Sequence, residues 1–176
     1  GSMGLGQCID KVVEGSDWKS KFSGWDQSNR KLPFGKGIGI ACSSYICGAG
    51  LPIYWNNMPQ SGVQLRLDRQ GGVCVMCGST DIGQGTETVF RQIAADAAGV
   101  PIEMVDFAVP CTTTCPDSGP TVASRTVMVV GSIVEAAARE IGERVRMELL
   151  AHGGSFAEAA DRLLDRERSI SVLRQY

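Results

Sequence analysis

Between residues 78 and 99 the chain reads "GSTDIGQGTETVFRQIAADAAG", in which Gln84 sits between Gly83 and Gly85 at the mouth of a helix. Two glycines remove Cβ atoms and permit positive φ, so backbone amides can approach a ligand closely. The helix that follows aims its unpaired N–H groups and its dipole at the same spot, which suits an anion. The carboxamide of Gln84 adds one acceptor and two donors, a set that a neutral heterocycle with mixed edges could use. A strand that turns into a helix needs some such bend in any case. Further along, "PDSGPTVASRT" (116–126) again leads into a helix and gathers the hydroxyls of Ser118, Thr121, Ser124 and Thr126 with the guanidinium of Arg125. That combination fits a phosphate, although each Ser or Thr singly could serve as a cap.

The seven cysteines include the spaced pairs Cys74/Cys77 and Cys111/Cys115. "GGVCVMCG" has strand character, and side chains three apart on a strand face opposite ways, so one metal ion could not easily take both. With His152 the one histidine, a closed zinc site would have to be nearly all cysteine; packing thiols are the simpler reading.

The elements that must hold these loops follow from the pattern. "VQLRLDRQGGVCVMCG" predicts strands Val63 to Asp68 and Val73 to Cys77 joined by a turn at Gln70, Gly71 and Gly72, an antiparallel hairpin with Val63, Leu65 and Leu67 on one face. Val89, Phe90, Ile93, Ala94, Ala97 and Ala98 repeat at helical spacing before Gly99, Val100 and Pro101 stop the helix. "IEMVDFAVP" predicts another strand. From Ser124 a long helix runs to His152, apolar nearly all round in its first half and therefore buried, with Gly131 and Gly142 permitting close packing. "SFAEAADRLL" opens with a capping box of Ser155 and Glu158. "GIGIACSSYICGAG" (37–50) reads as a glycine-rich strand, and "LPIYWNNMPQSG" as a long aromatic loop that could contact substrate, a partner subunit or nothing, a partner subunit or missing domain being the favoured reading. The expected fold is α+β: a mixed or antiparallel sheet packed against a long buried helix and two shorter helices.

Residues 1–3 read as a tag remnant, 4–36 as a polar connector with a short helix, and 37–176 as one truncated domain. The closing "LDRERSISVLRQY" has no terminator, as in a chain cut from a longer one. A net charge of −2 gives no reason to expect nucleic acid or an acidic membrane as partner, and 43% hydrophobic with 20% charged residues is the balance of a globular protein. No apolar run reaches the ~18 residues of a membrane span, and no leader pattern is present, so the expected location is the cytoplasm.

Taken together, "DIGQGTETVFRQIAADAAGVP" and "CPDSGPTVASRTVMVVGSIVEAA" resemble the molybdopterin-binding part of the large subunit in the xanthine oxidase family of molybdenum hydroxylases. "GIGIACSSYICGAGLPIYWN" with "SGVQLRLDRQGGVCVMCGSTDIGQG" is similar, more narrowly, to the catalytic subunit of the 4-hydroxybenzoyl-CoA reductase group. The resemblance, over about residues 4–146, implies that Ile82, Gly83, Gln84 and Gly85 line the pterin and that Ala123, Ser124, Arg125 and Thr126 meet the cofactor from the second loop, with Ala123 beside molybdenum. It implies molybdopterin, in the cytosine dinucleotide form of bacterial members, whose phosphates would suit the helix starts. It also implies iron-sulfur clusters on partner subunits, a flavin subunit as a further partner, the rest of the large subunit, and an aromatic acyl-CoA substrate that loses its phenolic hydroxyl reductively. Hydroxylation of an aldehyde or N-heterocycle on the same scaffold is the alternative, and a non-catalytic interaction module a more distant one. Where relatives carry an aspartate-threonine pair before the second motif, this chain has Cys111 and Thr112. The family's catalytic glutamate and its Phe-Gly-Gly region fall outside this sequence, so no catalytic residue is assigned and the isolated chain is expected to be inactive.

Overall fold

Val63, Leu65 and Leu67 alternate with Gln64 and Arg66, and the chain folds as that period of two requires. A computed structural model describes residues 3–24, 30–44 and 61–175. Strand β1 (Val63–Leu67) pairs antiparallel with β2 (Val73–Cys77), with Val63 opposite Cys77, Leu65 opposite Val75 and Leu67 opposite Val73. All six of these side chains are buried on one face. The turn between the strands is tied by Asp68, whose carboxylate accepts the Gln70 and Gly72 amides at 2.8 Å each.

After β2 the chain enters α3 (Thr86–Ala98), whose apolar stripe buries Phe90, Ala94 and Ala98, with Ile93 and Ala97 partly covered. Gly99 ends it in the left-handed conformation (φ 75°). A short 3-10 turn (Ile102–Met104) leads into β3 (Val105–Phe107), which pairs parallel with β2. A β-α-β crossover therefore closes one side of the sheet. The other side is closed by β4 (Ser171–Arg174), antiparallel to β1 with Leu65 opposite Val172, so the mixed sheet runs β3-β2-β1-β4. The sequence reading missed β4: it is a four-residue edge strand with a single buried side chain, Val172.

The expected long helix is present as a π-helical turn (Thr126–Val130) that continues without a break into α4 (Gly131–His152). Val130, Ile133, Val134, Ala137, Ala138, Ile141 and Val145 are buried, while Val127 and Met128 in the first turn are exposed, so the apolar front half is covered on one side only. Helix α4 packs on α3, on β1 and β4, and on α5 (Phe156–Glu167). Gly142 permits the closest of these approaches: a Cβ there would stand 2.4 Å from the Ala98 carbonyl oxygen and 2.8 Å from its Cα. Both halves of the Ser155/Glu158 capping box are formed at the start of α5.

The chain divides into two compact units, 1–44 and 45–176. In the first, α1 (Leu5–Gly15) and the short α2 (Trp18–Lys21) carry no buried residue. The strand expected over 37–50 is not formed in its described part: residues 37–44 are irregular and largely exposed, because four glycine or serine positions and two isoleucines offer little apolar surface to bury. Residues 45–50 and the aromatic loop with Tyr54 and Trp55 lie outside the described residues. Among the described residues no helix is long and apolar enough to cross a membrane.

Candidate functional site

The hairpin, α3 and α4 bring the two loops together because the first leaves β2 for α3 while the second leaves β3 for α4, and those helices pack side by side. The second loop lies directly across the ends of β1 and β2. The Gly62 amide donates to the Asp117 carbonyl at 2.6 Å, and Ser118, fully enclosed, accepts the Gly78 amide at 2.8 Å while its hydroxyl donates to the Gly62 carbonyl at 2.7 Å. Side chains at 62 or 78 would prevent this: a Cβ on Gly62 would meet Pro116 Cβ at 2.8 Å, and one on Gly78 would meet the Pro116 carbonyl at 3.0 Å. One more bond ties loop to loop, from the Thr80 amide to Thr121 Oγ1 at 3.2 Å.

Between the loops lies an open cleft of about 370 Å³, lined by Ile82 and Gln84 of the first loop with Thr86 and Val89 of α3, and by Thr121, Val122, Ala123 and Ser124 of the second loop with Thr126 and Val127 of the π-helical turn. Five of the eight residues singled out from sequence, Ile82, Gln84, Ala123, Ser124 and Thr126, therefore share one concavity. Gly83 (φ 107°) and Gly85 (φ 81°) shape the first bend without lining the cleft.

Two of the expected roles change on closer view. The amides at the start of α3 do not point unpaired into the cleft: Asp81 collects them, its carboxylate accepting the Gly83 amide at 2.8 Å, Gly85 at 3.3 Å and Glu87 at 3.4 Å. Those bonds, Gly83 foremost, hold the Asp81 carboxyl below its usual range. The helix start already has its anion, which the sequence reading missed although an aspartate ahead of a helix is a known capping signal. Arg125 likewise does not face the cleft. Its guanidinium is buried and donates to the Ser118 carbonyl at 2.9 Å, the Pro120 carbonyl at 3.0 Å and Ser61 Oγ, clamping the second loop from inside. Burial pulls its pKa down from the ordinary value, with Asp117 opposing.

Gln84 also braces its own loop: Oε1 accepts the Ile82 amide at 2.7 Å, and Nε2 donates to the Thr80 carbonyl at 2.9 Å and to Thr86 Oγ1. Its oxygen keeps one lone pair for a ligand. On the opposite wall, Ala123 (φ 50°) and Ser124 (φ 58°) are consecutive non-glycine residues in the left-handed region, one residue ahead of a π-helical turn. Each such residue costs about 1–2 kcal/mol, and strain of this kind, like π-helical turns, concentrates at functional sites.

The family model described as the molybdopterin cofactor-binding domain matches residues 11–166. This chain belongs to that family. It is 32% identical over 104 residues to the xanthine dehydrogenase molybdenum-binding subunit of Escherichia coli O157:H7, covering 59% of this chain and 13% of that protein. It is 30% identical over 128 residues to the 6-hydroxypseudooxynicotine dehydrogenase complex subunit gamma of Paenarthrobacter nicotinovorans, covering 72% of this chain and 15% of that subunit. The fold matches the crystal structure of quinoline 2-oxidoreductase from Pseudomonas putida 86 with a TM-score of 0.57 at 24% identity, over 66% of this chain and 19% of the other. The chain thus corresponds to a small part of each of these proteins.

The cleft's donor set is compatible with a pterin. Ile82, Val89, Val122 and Val127 offer apolar surface to a flat ring, and Gln84, Ser124 and Thr126 offer polar atoms to its edge. The volume lies at the lower end of the few hundred Å³ typical of small-molecule pockets. Among the described residues no charged side chain lines it. The fit is thus to the neutral ring, and the phosphate pairing expected of Arg125 has no counterpart here.

Proposed function

We propose that this chain is the portion of a molybdenum-dependent oxidoreductase large subunit that presents one wall of the molybdopterin site, with Ile82, Gln84, Ala123, Ser124 and Thr126 facing the pterin. The observation that carries this reading is the convergence of two helix-launching bends on a single cleft, one bend strained and the other braced by its own glutamine. Bound there, the molybdenum cofactor supplies two-electron redox chemistry. This chain's residues do the holding: Gln84 and Asp81 fix the first bend, Arg125 and Ser118 fix the second, and the valines exclude water from one face of the ring.

For the whole enzyme we place reductive removal of the phenolic hydroxyl of 4-hydroxybenzoyl-CoA first, on the resemblance of residues 37–56 and 61–85. Electrons would come through iron-sulfur clusters on partner subunits, with the cytosine dinucleotide form of the cofactor. Hydroxylation of an N-heterocycle is the second reading, favoured by the xanthine dehydrogenase and quinoline 2-oxidoreductase relatives. A substrate screen on the full-length complex separates them: reduction of the acyl-CoA supports the first, and water-derived hydroxylation of a heterocycle replaces it with the second. Molybdenum analysis of the complex carrying Gln84→Ala tests the cofactor role itself. Loading should fall at least tenfold, and unchanged loading would favour a non-catalytic module.

A further inference from the structure

The second loop begins with two thiols that the cofactor site does not use. Residues 111–115 form a closed turn in which the Cys115 amide donates to the Cys111 carbonyl at 2.8 Å and the Thr114 amide to the same oxygen at 3.1 Å. Such a one-turn geometry brings residues i and i+4 within the Cα separation of roughly 4.4–6.8 Å that a disulfide spans. The Thr114 hydroxyl lies 3.9 Å from the Cys115 sulfur and also hydrogen-bonds to the Cys111 sulfur, and the Cys115 thiol donates to the Val109 carbonyl at 3.9 Å. Cys111 is exposed and Cys115 half-buried. Thr113 Oγ1 lies 3.0 Å from Cys111 Sγ, and hydrogen bonding from the Thr113 side chain, together with the Thr113 amide and the Thr114 side chain and amide, favours the thiolate and lowers its pKa. Cys74 and Cys77, in the sheet, are held up by burial and so are poor competitors.

We propose that Cys111 and Cys115 form a reversible, peroxide-sensitive dithiol. The Cys111 thiolate attacks a peroxide oxygen, the O–O bond breaks, and the sulfur becomes a sulfenic acid while the other oxygen leaves as water after protonation. The Cys115 thiol then attacks that sulfur, forming the S–S bond and releasing a second water. Peroxide takes up two electrons, the dithiol gives up two, and an added dithiol reductant reverses the change. Because Asp117 and Ser118 follow closely and bond to Gly62 and Gly78, the new link stiffens the segment that pins the second loop.

The test treats this chain with equimolar hydrogen peroxide and maps its peptides by mass. The expected result is a loss of 2 Da confined to the peptide containing residues 111–115, reversed by dithiothreitol. In Cys115→Ser, dimedone should label Cys111 instead. A Cys111 that goes to sulfinic acid with Cys115 present overturns the proposal, as does a disulfide mapped to any other pair or between chains. Thiols that remain unmodified at ten equivalents of peroxide would overturn it equally.

Discussion

Replacing Gly142 by alanine sets two opposed effects against each other. Alanine in a helix interior is favoured over glycine by about 1 kcal/mol. Against that, the new Cβ would sit 2.4 Å from the Ala98 carbonyl oxygen and 2.8 Å from Ala98 Cα. The neighbour is backbone and cannot rotate away, so α3 and α4 must separate by roughly 1 Å to restore ordinary contact. Overpacking of this kind costs about 1–3 kcal/mol and at times more. The separation also stretches the hydrogen bond from Arg146 Nη1 to the Ala98 carbonyl, now 3.1 Å, for a further loss of about 0.5–1.5 kcal/mol. The net expectation is a destabilisation of about 1–3 kcal/mol, which for a chain of this length is a fall in Tm of roughly 3–10 °C. Thermal unfolding followed by circular dichroism measures it. A Tm equal to or above that of the parent would refute the close α3–α4 contact on which the cleft's geometry rests.

Arg125→Met should cost about 2–4 kcal/mol, seen as a lower urea midpoint, because it leaves the Ser118 and Pro120 carbonyls without their buried donor. Ala123→Gly should raise stability by about 0.5–1 kcal/mol in the same titration, since glycine adopts φ 50° without strain; a loss would contradict the strain argument. Glu148 is buried in α4 between Arg162 at 3.3 Å and Arg166 at 3.1 Å. Burial pushes its pKa up, but the arginines outweigh it and hold the carboxyl below 4.5. A depressed folded-state pKa stabilises above the unfolded value and ceases to as the pH falls through the folded one. Glu148→Gln should therefore lower Tm at pH 7, with the gap closing below about pH 4.5; a gap independent of pH would refute it.

What was legible in the sequence was what short-range rules decide. The β1–β2 hairpin followed from alternation around a glycine turn, the α5 start from Ser155 and Glu158, and the packing glycines from their cost in a helix. The α+β fold with a mixed sheet under a long helix followed from those pieces, although whether the sheet was mixed or antiparallel turned on β3, whose partner is β2 by way of α3. Edge strand β4 was illegible because Ser171, Leu173 and Arg174 carry no burial signal. The destination of Arg125 was illegible for a different reason. A guanidinium beside hydroxyls reads as an anion site, and only the folded loop shows that two carbonyls and Ser61 take it inward. Asp81 could have been found, since an aspartate ahead of a glycine-rich helix start is itself the anion such a start requires.

The central claim is that the cleft between the two bends holds the pterin. Val127 lines that cleft and is 48% exposed, so tryptophan there fills the space without disturbing the core. The deciding measurement is the molybdenum and pterin content of the purified full-length complex carrying Val127→Trp. The account predicts a folded complex with cofactor content reduced at least tenfold; a folded complex with undiminished cofactor would contradict it.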